Sequence, residues 1–194
     1  HVIIIVHILD AKPSIPSVKL TAFVVPKITS KIHDKYLNVD TDERRRALID
    51  YALPLNIEKM KADMAKYRIV YDRWFTESTL HNNGELKEII DILTEKGLTY
   101  EKDGALWYKA GEYGEKYQPK KHLNRDGEEE GIKDEVLVRA NGNPTYFAAD
   151  IAYHRNKFLR GYNTLIDVWG ADHHGHVARM KGAMEAVGID SDRL

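Results

Sequence analysis

The sequence contains no cysteine. This absence excludes disulfide bonds, thiolate metal ligands and a cysteine nucleophile, and it favours a reducing compartment such as the cytoplasm. A charge excess of one sign is also missing, because 29 Lys and Arg face 30 Asp and Glu and leave a formal net charge of -1. No global basic field therefore indicates nucleic-acid binding, although a local cluster of Lys and Arg could still contact a phosphate backbone.

Apolar runs long enough for a membrane span are missing as well. The run at residues 1–9 is too short to cross a bilayer, stops at Asp10 and lacks the basic start and cleavage site of a signal peptide. Its β-branched residues favour a buried strand instead. With 43% hydrophobic and 30% charged residues among 194 positions, the composition is typical of a globular protein with one medium or two small domains.

Residues 40–53 have the pattern of a helix. Asp40 or Thr41 can cap the first turn, and the acidic residues behind them suit the positive end of the helix dipole. We expect this helix to end at Pro54, because proline lacks a backbone donor and clashes with the preceding turn.

Residues 82–97 form the clearest helical pattern. Apolar side chains recur there at a spacing that places them on one face, namely Leu86, Ile89, Ile90 and Leu93. A hairpin follows, since Asp103-Gly104 is a strong two-residue turn signal. The charged segment 112–134 is expected to be a long exposed loop.

The last third of the chain alternates between helical and strand patterns. Residues 145–161 predict a helix, residues 164–172 a buried strand, and residues 174–188 a second helix. This order is one step of a parallel α/β sheet. Ligands of such sheets bind beyond the carboxyl ends of the strands, where residues 170–174 lie.

Tyr146 and Asp150 are four residues apart, so on a helix they share one face. A carboxylate can accept a guanidinium through two parallel hydrogen bonds, and a phenol adds a hydroxyl or a ring face. The pair therefore suits a cationic ligand. The spacing alone favours a structural tyrosine and a solvated aspartate.

Residues 170–176, GADHHGH, permit three interpretations. Gly170 allows a ligand to approach closely, Asp172 can accept hydrogen bonds from a ribose, and the start of the following helix suits a phosphate. Asp172, His173 and His176 could instead chelate a divalent metal, as the likeness of DHH to the DHH phosphoesterases suggests. The third interpretation is an ordinary helix start. The letters HHGH also match the outline of the ATP-binding HIGH tetrapeptide of class I aminoacyl-tRNA synthetases, so the context has to decide.

The context resembles the bacterial arginyl-tRNA synthetases. The segment from residue 138 to residue 188 contains TYFAADIAYH and WGADHHGHVARMK, and the likeness extends back through DGALWYKAGEYG, YDRWFTESTL and KIHDKYLNVD. It covers about residues 31–194. In that family the HIGH sequence would precede this region and the KMSKS-type loop would follow it, so HHGH matches HIGH by coincidence. The resemblance implies an interior fragment that is inactive by itself.

The resemblance further implies an arginine-tRNA ligase. Such an enzyme would use ATP to activate arginine as arginyl-adenylate, and would then transfer the arginyl group to the 3' end of tRNA-Arg. Mg2+ would accompany ATP and would not be held by the histidines. A cytoplasmic, monomeric enzyme without a membrane segment is expected, and its catalysis would consist of positioning and charge stabilisation without a covalent catalytic residue.

Individual residues take roles through the same resemblance. Tyr146 and Asp150 would form the pocket for the arginine side chain, with Asp150 accepting the guanidinium, and Asp172 would also contact arginine. The expected ATP-binding residues are those of the strand end, namely Gly170, Ala171, Asp172, His173 and His176.

The implied fold is α/β, part of a Rossmann-like class I nucleotide-binding fold with a small α+β insertion module. Residues 1–30 remain unassigned, residues 31–135 would be the insertion module, and residues 136–194 would begin the second half of the Rossmann-like catalytic domain. Two alternatives stay open, a DHH-like metal-dependent phosphoesterase and a binding module that keeps the synthetase fold without catalysis.

Overall fold

The computed structural model describes residues 2–5, 40–118, 122–123, 129–170 and 173–194. Their helices and strands follow the order β1 (Val2–Ile5), α1 (Thr41–Lys66), α2 (Ser78–Asn82), α3 (Glu85–Glu95), β2 (Thr99–Lys102), β3 (Ala105–Tyr108), α4 (Gly111–Gly114), β4 (His122–Leu123), β5 (Glu129–Glu130), β6 (Glu135–Val138), α5 (Tyr146–Leu159), β7 (Thr164–Asp167) and α6 (His174–Ala186). Short 3-10 turns cover Glu115–Tyr117 and Ser191–Arg193. The chain divides into two compact units, residues 10–74 and residues 1–9 with 75–194.

The described part of the first unit is dominated by helix α1. Asp40 caps it, and its carboxylate accepts hydrogen bonds from the backbone N–H groups of Asp42 and Glu43. The expected end at Pro54 is wrong, because the helix continues through this residue to Lys66. An interior proline costs about 3 kcal/mol or bends the helix, and the capped start and the good helix formers on both sides outweigh that cost here.

None of the helices among the described residues has the length and apolar character that crossing a bilayer requires.

The described residues of the second unit form three small sheets. Strand β1 pairs in parallel with β7, with Val2 opposite Thr164 and Ile5 opposite Asp167. Strands β2, β3 and β6 form an antiparallel sheet, and β4 pairs with β5. The predicted hairpin is confirmed, since Asp103 and Gly104 both adopt the positive φ angles of a type I′ turn, 53° and 74°.

The predicted alternation at the end of the chain is confirmed as α5, β7 and α6. Together with the parallel pairing of β1 and β7, it gives the mixed α/β fold that the sequence indicated. Within the N-terminal run, residues 2–5 form a strand, as expected, and their partner strand comes about 160 residues later in the chain. Strand β7 is shorter than predicted and ends at Asp167.

A cluster of buried side chains forms the core in the described part of this unit. Helix α3 contributes the predicted stripe, with Leu86, Ile89 and Leu93 buried and Ile90 partly buried. The other members come from the strands and the last two helices, among them Tyr108, Leu137, Phe147, Ile151, Leu165, Met180 and Met184. Burial of each large apolar side chain contributes about 1.5–3 kcal/mol to folding, so this cluster is the main source of stability.

Polar contacts align α3 with α5 at the edge of that core. The guanidinium of Arg155 donates two hydrogen bonds to the carboxylate of Glu88, at 2.7 and 3.0 Å. One helical position further, Asn156 donates to the carboxylate of Glu85. The planar guanidinium fork fixes the relative orientation of both helices more strictly than an apolar contact would.

The exposed loop expected at residues 112–134 is only partly correct. Its start forms α4 and a 3-10 turn, and α4 packs closely against α6. Two glycines permit this approach, because a Cβ on Gly182 would lie 2.7 Å from the Cα and the N of Gly114. Glycine at both positions lets the two backbones touch.

We predict that Gly182→Ala lowers the free energy of unfolding by about 1–3 kcal/mol, because the added methyl group meets backbone atoms that cannot move aside alone. Gly175→Ala is the matched control on the same helix, since the nearest atom to its Cβ, in Arg179, would be 4.0 Å away. The control should leave stability unchanged or raise it by up to about 1 kcal/mol. Urea unfolding monitored by circular dichroism measures both, and equal stability of the two variants would contradict the close helix contact.

Candidate active site at the end of strand β7

The first turn of α5 holds the predicted pair of Tyr146 and Asp150. Thr145 caps the helix, and its hydroxyl oxygen accepts a hydrogen bond from the backbone N–H of Ala148 at 3.3 Å. Tyr146 is the first helical residue and Asp150 lies one turn later, as the spacing predicted. The pair therefore shares one side of the helix.

The carboxylate of Asp150 has an unusual environment. Its side chain is only 14% exposed, yet it accepts no hydrogen bond from the described residues. The imidazole of His176 faces it, and Nε2 of His176 lies 3.7 Å from Oδ2 of Asp150, which is too long for a hydrogen bond. A nearly buried carboxylate without a donor is costly, so its acceptor capacity is available to a ligand.

Tyr146 is much more accessible than Asp150. It is 76% exposed, and the guanidinium of Arg139 lies 6.0 Å from the centre of its ring. This contact is within the range of a cation–π interaction. The phenol therefore stands at the outer end of the site, while the carboxylate forms its inner end.

The ring of His176 packs against two aromatic side chains. Its ring centre lies 4.9 Å from that of Trp169 and 5.7 Å from that of Phe147, in an edge-on arrangement with the latter. Nε2 of His176 has no hydrogen-bond partner among the described residues. In that same part of the chain, no three His, Asp or Glu side chains come close enough together to hold a metal ion.

The strand end carries the remaining predicted residues. Gly170 is exposed three residues beyond β7, and its carbonyl accepts a hydrogen bond from the backbone N–H of His173 at 3.0 Å. His173 precedes the first residue of α6 and makes no capping hydrogen bond with its side chain. Ala171 and Asp172 lie outside the described residues. Of the predicted set, the structure thus brings Asp150 and His176 together.

Three buried groups beside this site were not predicted. His154, Lys157 and Asp167 lie at the interface of α5 and β7, and the side chains of His154 and Asp167 are 0% and 7% exposed. Nε2 of His154 is 2.7 Å from Oδ2 of Asp167. Two sequence features could have predicted part of this group. Tyr146, Asp150 and His154 are spaced four residues apart and so share one helix face, and Asp167 is a carboxylate at the end of an apolar strand.

Lys157 is fully buried one turn beyond His154. Its Nζ has no hydrogen-bond partner in the described part of the chain and lies 3.9 Å from the ring centre of Tyr153. Burial lowers the pKa of Lys157 to about 8, and the carboxylates of Asp167 and Asp150 offset part of that effect. The ammonium group therefore weakens the fold at neutral pH while it remains charged.

Comparison with known proteins identifies what the chain is similar to. A scan against models of protein families finds no match. The chain is 56% identical over 166 residues to the arginine-tRNA ligase of Caldanaerobacter subterraneus, which is 84% of this chain and 27% of that protein. It is 52% identical over 162 residues to the arginine-tRNA ligase of Acetivibrio thermocellus, covering 83% of this chain and 26% of the relative.

A solved structure agrees with these matches. A crystal structure described as an arginyl-tRNA synthetase from Campylobacter jejuni superposes with a TM-score of 0.70 at 30% identity, covering 88% of this chain and 33% of that one. The chain is thus similar to part of a tRNA ligase. The amino acid named in each case is arginine, which confirms the resemblance found in the sequence. The chain spans about a quarter of the length of the two curated relatives.

We predict that the stability of the chain rises with pH between about 8 and 10.5, by up to about 3 kcal/mol, through Lys157 alone. In this window the unfolded chain, with its ordinary lysine pKa, binds more protons than the folded chain. Lys157→Met should remove this rise, whereas Lys87→Met, which alters an exposed lysine, should keep it. Urea unfolding of the three proteins at several pH values measures the difference, and parallel profiles for all three would contradict the buried ammonium.

Proposed function

We propose that this chain supplies the arginine pocket of an arginine-tRNA ligase. In the proposed reaction, a carboxylate oxygen of arginine attacks the α-phosphate of ATP, and pyrophosphate leaves with the formation of arginyl-adenylate. The 2'-hydroxyl of the terminal adenosine of tRNA-Arg then attacks the arginyl carbonyl, loses its proton and displaces AMP. The described residues would act by binding and orienting the substrates, because no covalent intermediate with the protein is needed.

The observation that carries this proposal is the carboxylate of Asp150. A guanidinium offers a planar fork of donors that can satisfy both of its oxygens at once. The low exposure of Asp150 strengthens such a charge-assisted pair, because little water competes for the same oxygens. The ammonium of lysine would provide a point charge without this geometry, which accounts for discrimination between the two basic amino acids.

Tyr146 complements Asp150 at the outer end of the pocket. Its hydroxyl would donate a hydrogen bond to the bound amino acid, and its exposed ring could cover the guanidinium or the aliphatic part of the side chain. The position of the Arg139 guanidinium near that ring indicates that the ring face is accessible to a planar cation.

The strand end is the proposed location of ATP. Gly170 and Ala171 would let the nucleotide approach the backbone, Asp172 would contact both the ribose and arginine, and His173 and His176 would line the same opening. The packing of His176 on Trp169 suits a lining role. Mg2+ would arrive with the phosphates of ATP, and we assign no described residue to it.

The finer architecture belongs to the same proposal. Residues 136–194 would begin the second half of a Rossmann-like catalytic domain, which the parallel pair of β1 and β7 and the flanking helices support. Residues 31–135 would form the insertion module, and residues 1–30 stay unassigned. The complete enzyme would work in the cytoplasm as a monomer.

We predict that Asp150→Ala, made in a complete arginine-tRNA ligase that carries this sequence, lowers kcat/KM for arginine by roughly a hundredfold. Loss of one charge-assisted pair in a poorly exposed site should cost about 3 kcal/mol. The measurement is the arginine-dependent exchange of pyrophosphate into ATP, with the KM for ATP determined in parallel. Most of the effect should fall on arginine, because Asp150 contacts only that substrate in the proposal.

Asp91→Ala is the control for this experiment, since Asp91 is an exposed carboxylate that pairs only with Lys87 in the described structure. Unchanged arginine kinetics in Asp150→Ala would remove this residue from the pocket. A complete protein that shows no arginine-dependent exchange would instead indicate a binding module without catalysis. The comparisons give the phosphoesterase alternative no support.

A further inference from the structure

His154 connects the helix of the proposed pocket to the strand below the ATP site. Its side chain is fully buried in the fourth position after Asp150 on α5. Nδ1 lies 2.8 Å from the backbone carbonyl oxygen of Asp150, and Nε2 lies 2.7 Å from Oδ2 of Asp167 at the end of β7. One ring thus bridges two elements.

The chemistry of the two partners fixes the hydrogens of this ring. A backbone carbonyl can only accept, so Nδ1 of His154 carries a hydrogen and donates it to Asp150. The second hydrogen bond contains a further hydrogen between Nε2 and the carboxylate of Asp167. A buried ring that is bonded on both edges cannot rotate without losing both bonds, so it is a rigid connection.

Asp150 depends on such a connection because its own carboxylate is not held by a donor. No hydrogen bond from the described residues orients that group, and Nε2 of His176 lies 3.7 Å from its Oδ2. His176 packs on Trp169, two residues after Asp167. Two histidines therefore contact Asp150, His154 at its backbone carbonyl and His176 at its carboxylate. Each also has a contact at or just beyond the end of β7, His154 with Asp167 and His176 with Trp169.

We propose that His154 is a positioning residue for arginine recognition, which holds the Asp150 turn of α5 at a fixed distance from the end of β7 through its two hydrogen bonds. This proposal rests on the proposed function of Asp150. The ring touches neither substrate. Its effect is to hold the carboxylate of Asp150 at a fixed position relative to the strand end where ATP would bind. A small displacement of such a group has a large effect on a reaction that depends on substrate positioning.

Each of two near-isosteric substitutions removes one of the two hydrogen bonds of His154. In His154→Asn the amide nitrogen takes the place of Nδ1 and can keep the bond to Asp150, while the bond to Asp167 is lost. In His154→Gln the amide nitrogen takes the place of Nε2 and the bond to Asp150 is lost. Both retain a polar group in the buried site, so they protect the fold better than His154→Phe, which leaves the carboxylate of Asp167 without this partner.

The test uses pyrophosphate exchange in a complete arginine-tRNA ligase that carries this sequence. We expect each of the two polar variants to raise the KM for arginine about tenfold, while kcat and the KM for ATP change by less than about threefold. His154→Phe should have a larger effect in the same direction. If the role of His154 were purely structural, the variants would have lower thermal stability, a lower kcat and a higher KM for both arginine and ATP. That result would overturn the proposal.

A double-mutant cycle separates this inference from the proposed function. If His154 acts through Asp150, His154→Asn should add little to the loss already caused by Asp150→Ala. Additive effects would overturn the positioning role. An unchanged Asp150→Ala enzyme would refute the arginine pocket itself, whereas a strong Asp150→Ala effect with normal His154 variants would refute only the role of His154.

Discussion

The hydrogen bond between His154 and Asp167 joins α5 to the end of β7 across the edge of the apolar core. Apolar contacts are non-directional and tolerate small sliding movements, whereas a buried polar bridge is satisfied in one arrangement only. This single constraint relates the first turns of α5 to the end of β7. The proposed arginine and ATP positions lie on these two elements, so the relation between them depends on it.

The same interface is costly to build. It contains the carboxylates of Asp150 and Asp167, the ring of His154 and the ammonium of Lys157, and removing charges from water opposes folding. The apolar cluster around α3, α5 and α6 must outweigh this cost. A region that combines strong packing with poorly solvated charges is typical of functional sites, where the arrangement serves a ligand and not the stability of the fold.

Local patterns predicted the elements and the pair at the start of α5. Leu86, Ile89 and Leu93 repeat at helical spacing, Asp103-Gly104 is a turn signal, and both features depend on neighbouring residues only. Features that depend on distant residues were missed. The contact of Gly182 with Gly114 and the bridge from His154 to Asp167 both require knowledge of packing. The helix through Pro54 was missed for a local reason, because the helix formers on both sides of the proline were given too little weight. The family resemblance, and not the spacing, assigned roles to Tyr146 and Asp150.

The parallel pairing of β1 with β7 has a consequence for synthesis of the chain. Strand β1 is synthesised about 160 residues before its partner strand Thr164–Asp167. During that interval the segment Val-Ile-Ile-Ile has unpaired backbone groups and a strong tendency to form strands with other chains. Closing so long a loop is also slow, because the chain loses conformational entropy before the contacts that stabilise the strand pairing have formed. The growing chain therefore depends on protection of this segment until its partner strand has been made.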